Sequence, residues 1–442
     1  MFLFECLTAR WQTQMSVTEL TRPWFCFQLG AREHYAIPRA LFRMGVLQRL
    51  ITDAWVAPSF FLRKISSRTA SLKERFHCEL RDAPVTAFNS SLIMFETFAR
   101  ARGLREWGKI LARNQWFQDK LISYLRCSQL STTDDYQPIL LSYSYTALGP
   151  FRYAKSQGWK TVLVQIDPGS EEEKIVAQEA SRVPELAGEW QRAPTEYWAS
   201  WREECDLADR IVVNSEWSRE GLIRAGVPAE KLSVIPLAYE SPEVSRCRVA
   251  TSLQGDHKSA VRTPRTYPER FTCERPLRVL FLGQVNLRKG VAPLLEAARM
   301  LRNEPVEFWM VGPVQIANAR TMATDARVEW FGPVIRKQTS EFYRNADIFI
   351  LPTLSDGFAI AQLEAQAHGL PVIASKFCGN VVQSGVNGII LEEPIVASIA
   401  ATIRDCIADP SQLRQFAAAS RLSDEFTIDA LAQRLEDLGS TL

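Results

Sequence analysis

The chain has 442 residues, too many for one ordinary core, so two domains are expected. Its composition, 46% hydrophobic and 23% charged, is that of a soluble globular protein. The formal net charge is +2 and no long block of like charge occurs, which argues against nucleic acid as the main partner.

The chain opens with "MFLFECLTARWQTQM", where Glu5 interrupts the apolar run and the basic-then-apolar layout of a signal peptide is missing. Met15 is an alternative start. No run of about 18 apolar residues follows, so a cytoplasmic protein without a membrane-spanning helix is expected, with peripheral contact at the membrane left open. Nine cysteines contain no CxxC pair, and none of the four histidines has zinc-site spacing to another histidine or a cysteine. Reduced thiols and no metal site are the expectation.

In the first half, "PWFCFQLG" (Pro23 to Gly30) reads as a strand ending in a glycine turn. "PILLSYS", "KTVLVQIDPG" and "ADRIVVNS" read as further strands, and "EWSREGLIRAG" as a helix before the strand "LSVIPLA". Long helical stretches fall near 90–130 and 171–208. Residues 1–240 are therefore expected to form one Rossmann-like domain with extra helices. Residues 241–275, rich in proline and arginine, break the pattern and read as a linker. At that length, part of it is expected either to be mobile or to wrap one domain.

The second half alternates more regularly. "LRVLFLG", "VEFWMVG", "VEWFG", "DIFILPT", "PVIAS" and "SGVNGIIL" read as strands. "APLLEAARMLR", "TSEFYRNA", "AIAQLEAQAHG" and "IVASIAATIRDCIAD" read as the helices between them. This predicts a doubly wound parallel α/β domain over 276–422. The closing "FTIDALAQRLEDL" predicts a last helix within 423–442. In such sheets ligands bind beyond the carboxyl ends of the strands, which here carry "GQVNLRKG", "GPVQ", "GPVIRK" and "LPTLSDGF".

Those loops hold the candidate residues. Gly283 lets the backbone come close to a ligand, and Arg288 and Lys289 bring positive charge suited to a phosphate. Alternatively, Lys289 is a solvated lysine before a helix. No Walker loop and no GxGxxG is present. Asp356 is either an N-terminal helix cap or a ligand contact, and Gly357 removes a side chain that would block approach. Glu364 lies on the border of a buried helix face, where a carboxylate needs a partner. Either a local cation or a pair of ligand hydroxyls would serve. Cation, amides and carboxylate together select a nucleotide sugar.

The segments "FLGQVNLRKGVAPLLEAA", "YRNADIFILPTLSDGFAIAQLEAQAHGLPVIAS" and "GVNGIIL" resemble the donor domain of retaining glycosyltransferases of family 4, which have the GT-B fold. In that family two acids are separated by seven intervening residues, with Gly-Phe after the first, as Asp356 and Glu364 are here. The resemblance covers nearly all of 277–422. It is weaker in the first half, where "EECDLADRIVVNSEWSREGLIRAGVPAEKLSVIP" matches. It implies that Glu364 holds the donor ribose. It also implies that Asp356, with the amides of Phe358, Ala359 and Ile360, holds the sugar and distal phosphate. Lys289 would neutralise the leaving diphosphate, and the turn from Gly332 to Val334 would touch the base. The last helix would cross back to the first domain.

Three positions depart from the family pattern. Asp356 replaces the usual Glu, Gln284 replaces a usual Arg, and Asp167 stands where a His often lies beside the sugar. Asp167 either accepts from a sugar hydroxyl or is a turn residue before Pro168. The resemblance implies a metal-independent transfer with retention from a UDP- or GDP-linked sugar. The acceptor would be a glycan, lipid-linked or small-molecule hydroxyl. That acceptor is expected near "QLGAREHYAIPRAL", where Arg32, Glu33 and His34 follow Gly30, unless this is only a surface turn. Trp190, Trp198 and Trp201 either stack on a sugar or pack in the core. A nucleotide-sugar epimerase and a weakened, glycan-binding partner of a transferase are the alternative readings. Oligomeric state is not legible.

Overall fold

Apolar runs of four to six residues alternate with helices along the chain, and each buried run becomes a parallel strand. The structure, a computed structural model, describes residues 22–57, 74–127, 137–240, 265–322, 324 and 326–442. The chain start and most of the 241–275 connection, on which readings were made above, lie outside them.

The first sheet has seven strands: β1 Trp24–Gln28, β2 Leu47–Thr52, β3 Val85–Ala87, β4 Ile139–Tyr143, β5 Lys160–Gln165, β6 Arg210–Val213 and β7 Leu232–Val234. Their order is β3-β2-β1-β4-β5-β6-β7, all parallel. The second sheet has six: β8 Leu277–Leu282, β9 Val306–Val311, β10 Val328–Gly332, β11 Ile348–Leu351, β12 Val372–Ser375 and β13 Gly388–Leu391. Their order is β10-β9-β8-β11-β12-β13, again parallel. Each sheet reverses its winding once, beside β1 and beside β8, and a crevice opens at such a point.

Strand alternation sends successive side chains to opposite faces. Along β1, Cys26 enters one core of the first sheet while Phe25 and Phe27 enter the other. Along β8, Leu277, Val279 and Phe281 face one core and Leu280 the other. β2 and β3 were not anticipated. β2 carries exposed Gln48 and half-buried Arg49, and all three residues of β3 are half-buried, so neither has a clear apolar signature.

The helix Ile428–Ser440 lays Ile428, Leu431, Leu435 and Leu438 against the first sheet's core, beside Trp24 and Leu41. Residues 265–275 pack on the second domain. Phe271 is buried in its core, Tyr267 donates to the Asp347 carbonyl (2.8 Å), and the Arg275 guanidinium grips the Asp347 carboxylate (2.7 Å on each side). Arg265 donates to the carbonyls of Tyr343, Arg344, Ala346, His368 and Gly369. The seven described cysteines form no disulfide.

Candidate active site

The loop after β1 is bent by an unusual backbone. Glu33, His34 and Tyr35 have φ of 49°, 55° and 63°, three successive non-glycine residues in the left-handed region. Each costs conformational energy that surrounding contacts must offset. One such contact is the Tyr143 hydroxyl, which donates to Glu33 Oε2 (3.0 Å). The bend brings His34 Nε2 to 3.6 Å from Glu364 Oε1 in the second domain. His34 thus faces an acid of the second domain. Burial holds its imidazole below the ordinary histidine value, so at neutral pH the approach is that of an uncharged ring.

Glu364 sits in the short helix Ala361–Ala367 and is 9% exposed. Its Oε2 accepts from the hydroxyl of fully buried Tyr343 (2.8 Å), whose ring stacks on His368. Burial acts to raise its pKa. Contact with His34, the charge of Arg336 and the Tyr343 hydroxyl outweigh burial and hold it below the ordinary value. Arg336 begins the helix Arg336–Asn345 and follows the turn containing Gly332 and Val334. Gly332 has φ of 69° there, and Val334 packs on the adjoining core.

Asp356 lies in the turn after β11 and is 7% exposed. Its Oδ2 receives the Lys289 ammonium and Arg288 Nη1 (3.1 Å), while its Oδ1 accepts from the Phe358 amide (3.2 Å). Burial would raise its pKa, but Lys289 and then Arg288 bring it down to about 2. The acid and the lysine, assigned from sequence to a sugar and a diphosphate, therefore hold each other. Lys289 is fixed in turn by the Asn286 side chain, which accepts from its amide (3.1 Å). Gly290 follows with φ of 68°, and a Cβ there would collide with the Pro352 carbonyl. The two loops of the site are thereby locked together.

The Phe358 amide, read as a phosphate donor, is engaged by Asp356. Ala359 has φ of 66°, and Ile360 precedes the first residue of the helix. Gly357 does permit a close approach, but by the first domain. A Cβ there would collide with the carbonyl oxygen of Ile166. The Gly357 carbonyl accepts from the hydroxyls of Ser215 (2.6 Å) and Ser218 (3.2 Å). Nearby, Trp217 Nε1 donates to Ser355 Oγ (3.1 Å) and Ser355 Oγ donates to Glu172 Oε2 (3.1 Å).

Asp167 is a turn residue, as one of its two sequence readings had it. Its Oδ1 accepts from the Gly169 amide (2.9 Å), as a turn residue does, and from Tyr145 Oη (2.6 Å) and Gln165 Nε2 (2.8 Å). It also lines a cavity of about 720 Å³ between the two domains. Gly283 ends β8 with φ of 153°, and Gln284 beside it is exposed, its Oε1 taking a long contact from Asn286 (3.4 Å). Arg288, four positions on, points its charge at Asp356 and Glu172.

Of the three tryptophans, Trp201 is core, with 1% exposure and its Nε1 bonded to Gln165 Oε1 (2.9 Å). Trp190 and Trp198 line the cavity. Sequence reasoning missed Arg336, Tyr343, Tyr145 and Glu172. Only Arg336 carried a signal, as the cation in the cleft loop "GPVIRK". Among the described residues no three His, Cys, Asp or Glu side chains are grouped as metal ligands would be, and no helix is long and apolar enough to cross a membrane.

Comparison with known proteins places this geometry. Residues 276–409 match the family model for glycosyl transferases group 1. A D-inositol 3-phosphate glycosyltransferase of Geodermatophilus obscurus is 30% identical over 245 residues, 51% of this chain and 51% of that protein. The amylovoran biosynthesis glycosyltransferase AmsK of Erwinia amylovora is 27% identical over 210 residues, 44% of this chain and 46% of that protein. The chain thus spans about half the length of the curated relatives it matches. Among solved structures, Anabaena HepE in complex with UDP-glucose superposes with a TM-score of 0.59 at 16% identity, over 95% of this chain and 100% of that one. Sucrose-phosphate synthase from Thermosynechococcus elongatus gives 0.60 at 16% identity, over 95% and 98%. Over residues 276–409 the chain thus resembles the group 1 glycosyl transferases, and by its two facing parallel sheets it has the GT-B fold.

Proposed function

We propose that the chain is a retaining, metal-independent glycosyltransferase. It moves a sugar from a UDP- or GDP-linked donor to a hydroxyl on a glycan, lipid-linked or small-molecule acceptor. The observation that carries this is the grouping of Lys289, Arg288 and Asp356 with Glu364 eight positions on, at the carboxyl ends of the second sheet. Lys289 and Arg288 supply fixed positive charge where a diphosphate leaving group develops its own negative charge, in a site largely shielded from water. Glu364, held ionised and with one oxygen on Tyr343, offers its other oxygen to the ribose hydroxyls. As the sugar–phosphate bond breaks, the acceptor hydroxyl attacks the same face and gives its proton to the departing phosphate, so configuration is kept. Asp356 orients the sugar once the donor's phosphates have taken over Lys289.

HepE was solved with UDP and with UDP-glucose, so uridine donors come first in a test. A thermal-shift panel of UDP, GDP and their sugars is expected to raise the melting temperature with one base over the other. The purified chain should then release that nucleotide from its sugar, and Glu364→Ala should abolish the release. No melting shift with any nucleotide, or full release by Glu364→Ala, would sink this reading. Release of free epimerised nucleotide sugar instead of glycan labelling would point to the epimerase.

A further inference from the structure

We propose that the cavity between the domains is the acceptor site, and that the acceptor is an uncharged, hydroxyl-rich glycan and not a phosphorylated one. This rests on the transferase reading above and names the class of its second substrate. The cavity, of about 720 Å³, is within the range of small-ligand sites. Arg32, Glu33 and His34 of the loop after β1, where the acceptor was expected from sequence, are not among its lining residues.

Its walls are aromatic. Tyr145 stacks on Tyr197 with ring centres 4.6 Å apart and planes at 18°. Trp107 and Trp198 meet Tyr197 edge-on at 4.9 and 5.1 Å. These four rings line the cavity and stay half-buried, whereas neighbouring Trp201 is fully buried. Flat, partly apolar faces of this kind pack against the C–H faces of pyranose rings. Tyr145 is held in place by a left-handed backbone (φ 73°) and by its hydroxyl on Asp167.

The charged lining is almost all acidic, beside the neutral amides of Gln191, Asn286 and Gln315. Glu106, Asp167, Glu172, Glu173 and Glu189 reach the cavity, and Arg288 is the single cation among the described lining residues. Carboxyl oxygens suit the O–H donors of a sugar. A phosphate entering the same space would meet the carboxylates of Glu106, Asp167, Glu173 and Glu189, which costs affinity. The D-inositol 3-phosphate glycosyltransferases that match this chain are named for an anionic substrate, so the inference separates this chain from them.

The inner end of the cavity joins the donor side through one residue. Arg288 Nε lies 3.5 Å from Glu172 Oε1, and its Nη1 holds Asp356. A hydroxyl at that end is adjacent to the acid that faces the donor sugar.

The test uses the full chain and two probes, maltose and glucose 6-phosphate, read by saturation-transfer NMR with and without UDP. Maltose is expected to bind at least tenfold more tightly than glucose 6-phosphate. Tyr197→Ala and, separately, Trp107→Ala should each weaken maltose at least fivefold while the melting shift given by UDP or GDP is kept. Glu189→Arg should narrow the preference against the phosphate. Tighter binding of glucose 6-phosphate, no binding of maltose, or maltose binding indifferent to both aromatic variants would overturn the proposal. Aromatic-dependent maltose binding with no nucleotide shift would leave the cavity a glycan site and remove the transferase reading instead.

Discussion

The two sheets share one strand order through six strands, yet they prepare their sides of the cleft by different means. On the second sheet, charge does the positioning: two cations converge on Asp356, and Glu364 is set by Tyr343 and Arg336. On the first sheet, rings and backbone strain do it. Tyr145 and Tyr197 stack, and Glu33, His34, Tyr35 and Tyr145 all adopt left-handed conformations. Charged pairs fix a few atoms closely, which suits a diphosphate common to many donors. Stacked rings offer broad faces, which suits an acceptor that differs between relatives.

The largest expected effect tests whether the donor side dominates chemistry. Glu364→Ala should lower nucleotide release by about 100-fold or more, the scale of losing one positioned electrostatic group. Asp167→Ala, on the other sheet, should lower it by only about tenfold, because its oxygen already serves a turn. Equal losses would break the contrast.

Two glycines sharpen it next. Gly290→Ala puts a Cβ into the Pro352 carbonyl within one domain and should cost about 3 kcal/mol of stability, as strained and overpacked sites do. Gly357→Ala collides with Ile166 across the domain boundary. It should instead enlarge the radius of gyration in small-angle scattering while helical content in circular dichroism is unchanged. Global unfolding by Gly357→Ala would show that the boundary is part of one cooperative core.

Tyr343→Phe should cost about 1–2 kcal/mol, since the buried Glu364 loses its bonded hydroxyl. Urea denaturation checks it. A smaller effect is expected at Glu172, whose pKa is pushed up to about 8 by burial and by Asp167 and Asp356, against the pull of Arg288. Its value unfolded is near 4.5. Between these limits the unfolded chain has lost a proton that the folded chain keeps, so stability falls as pH rises from 4.5 to 8. Glu172→Gln should remove that fall. The gap in melting temperature between variant and parent should widen from pH 5 to pH 8, and a constant gap would contradict it.

The second sheet was legible because its strands are mostly apolar, interrupted by charge only at Arg278, Glu307 and Glu329, and each is closed by a turn, and because Asp356 and Glu364 lie eight residues apart in sequence. The first was less so. β2 and β3 sit toward one edge and mix polar with apolar residues, so they carry no period to read. The cavity draws Trp107, Tyr145, Asp167, Tyr197 and Arg288 from five separate segments, and no spacing encodes that meeting. Gly357 was read for its lack of a side chain, but the sequence could not say whose backbone uses the space.

The grip of Arg265 bears on how the halves can move. One guanidinium ties down carbonyls at the C-terminal ends of two helices, Arg336–Asn345 and Ala361–Ala367, where the field favours a cation. Residues 265–275 are therefore mechanically part of the second domain. Any displacement of the second domain against the first would carry Arg265, Tyr343 and Glu364 along as one lever arm.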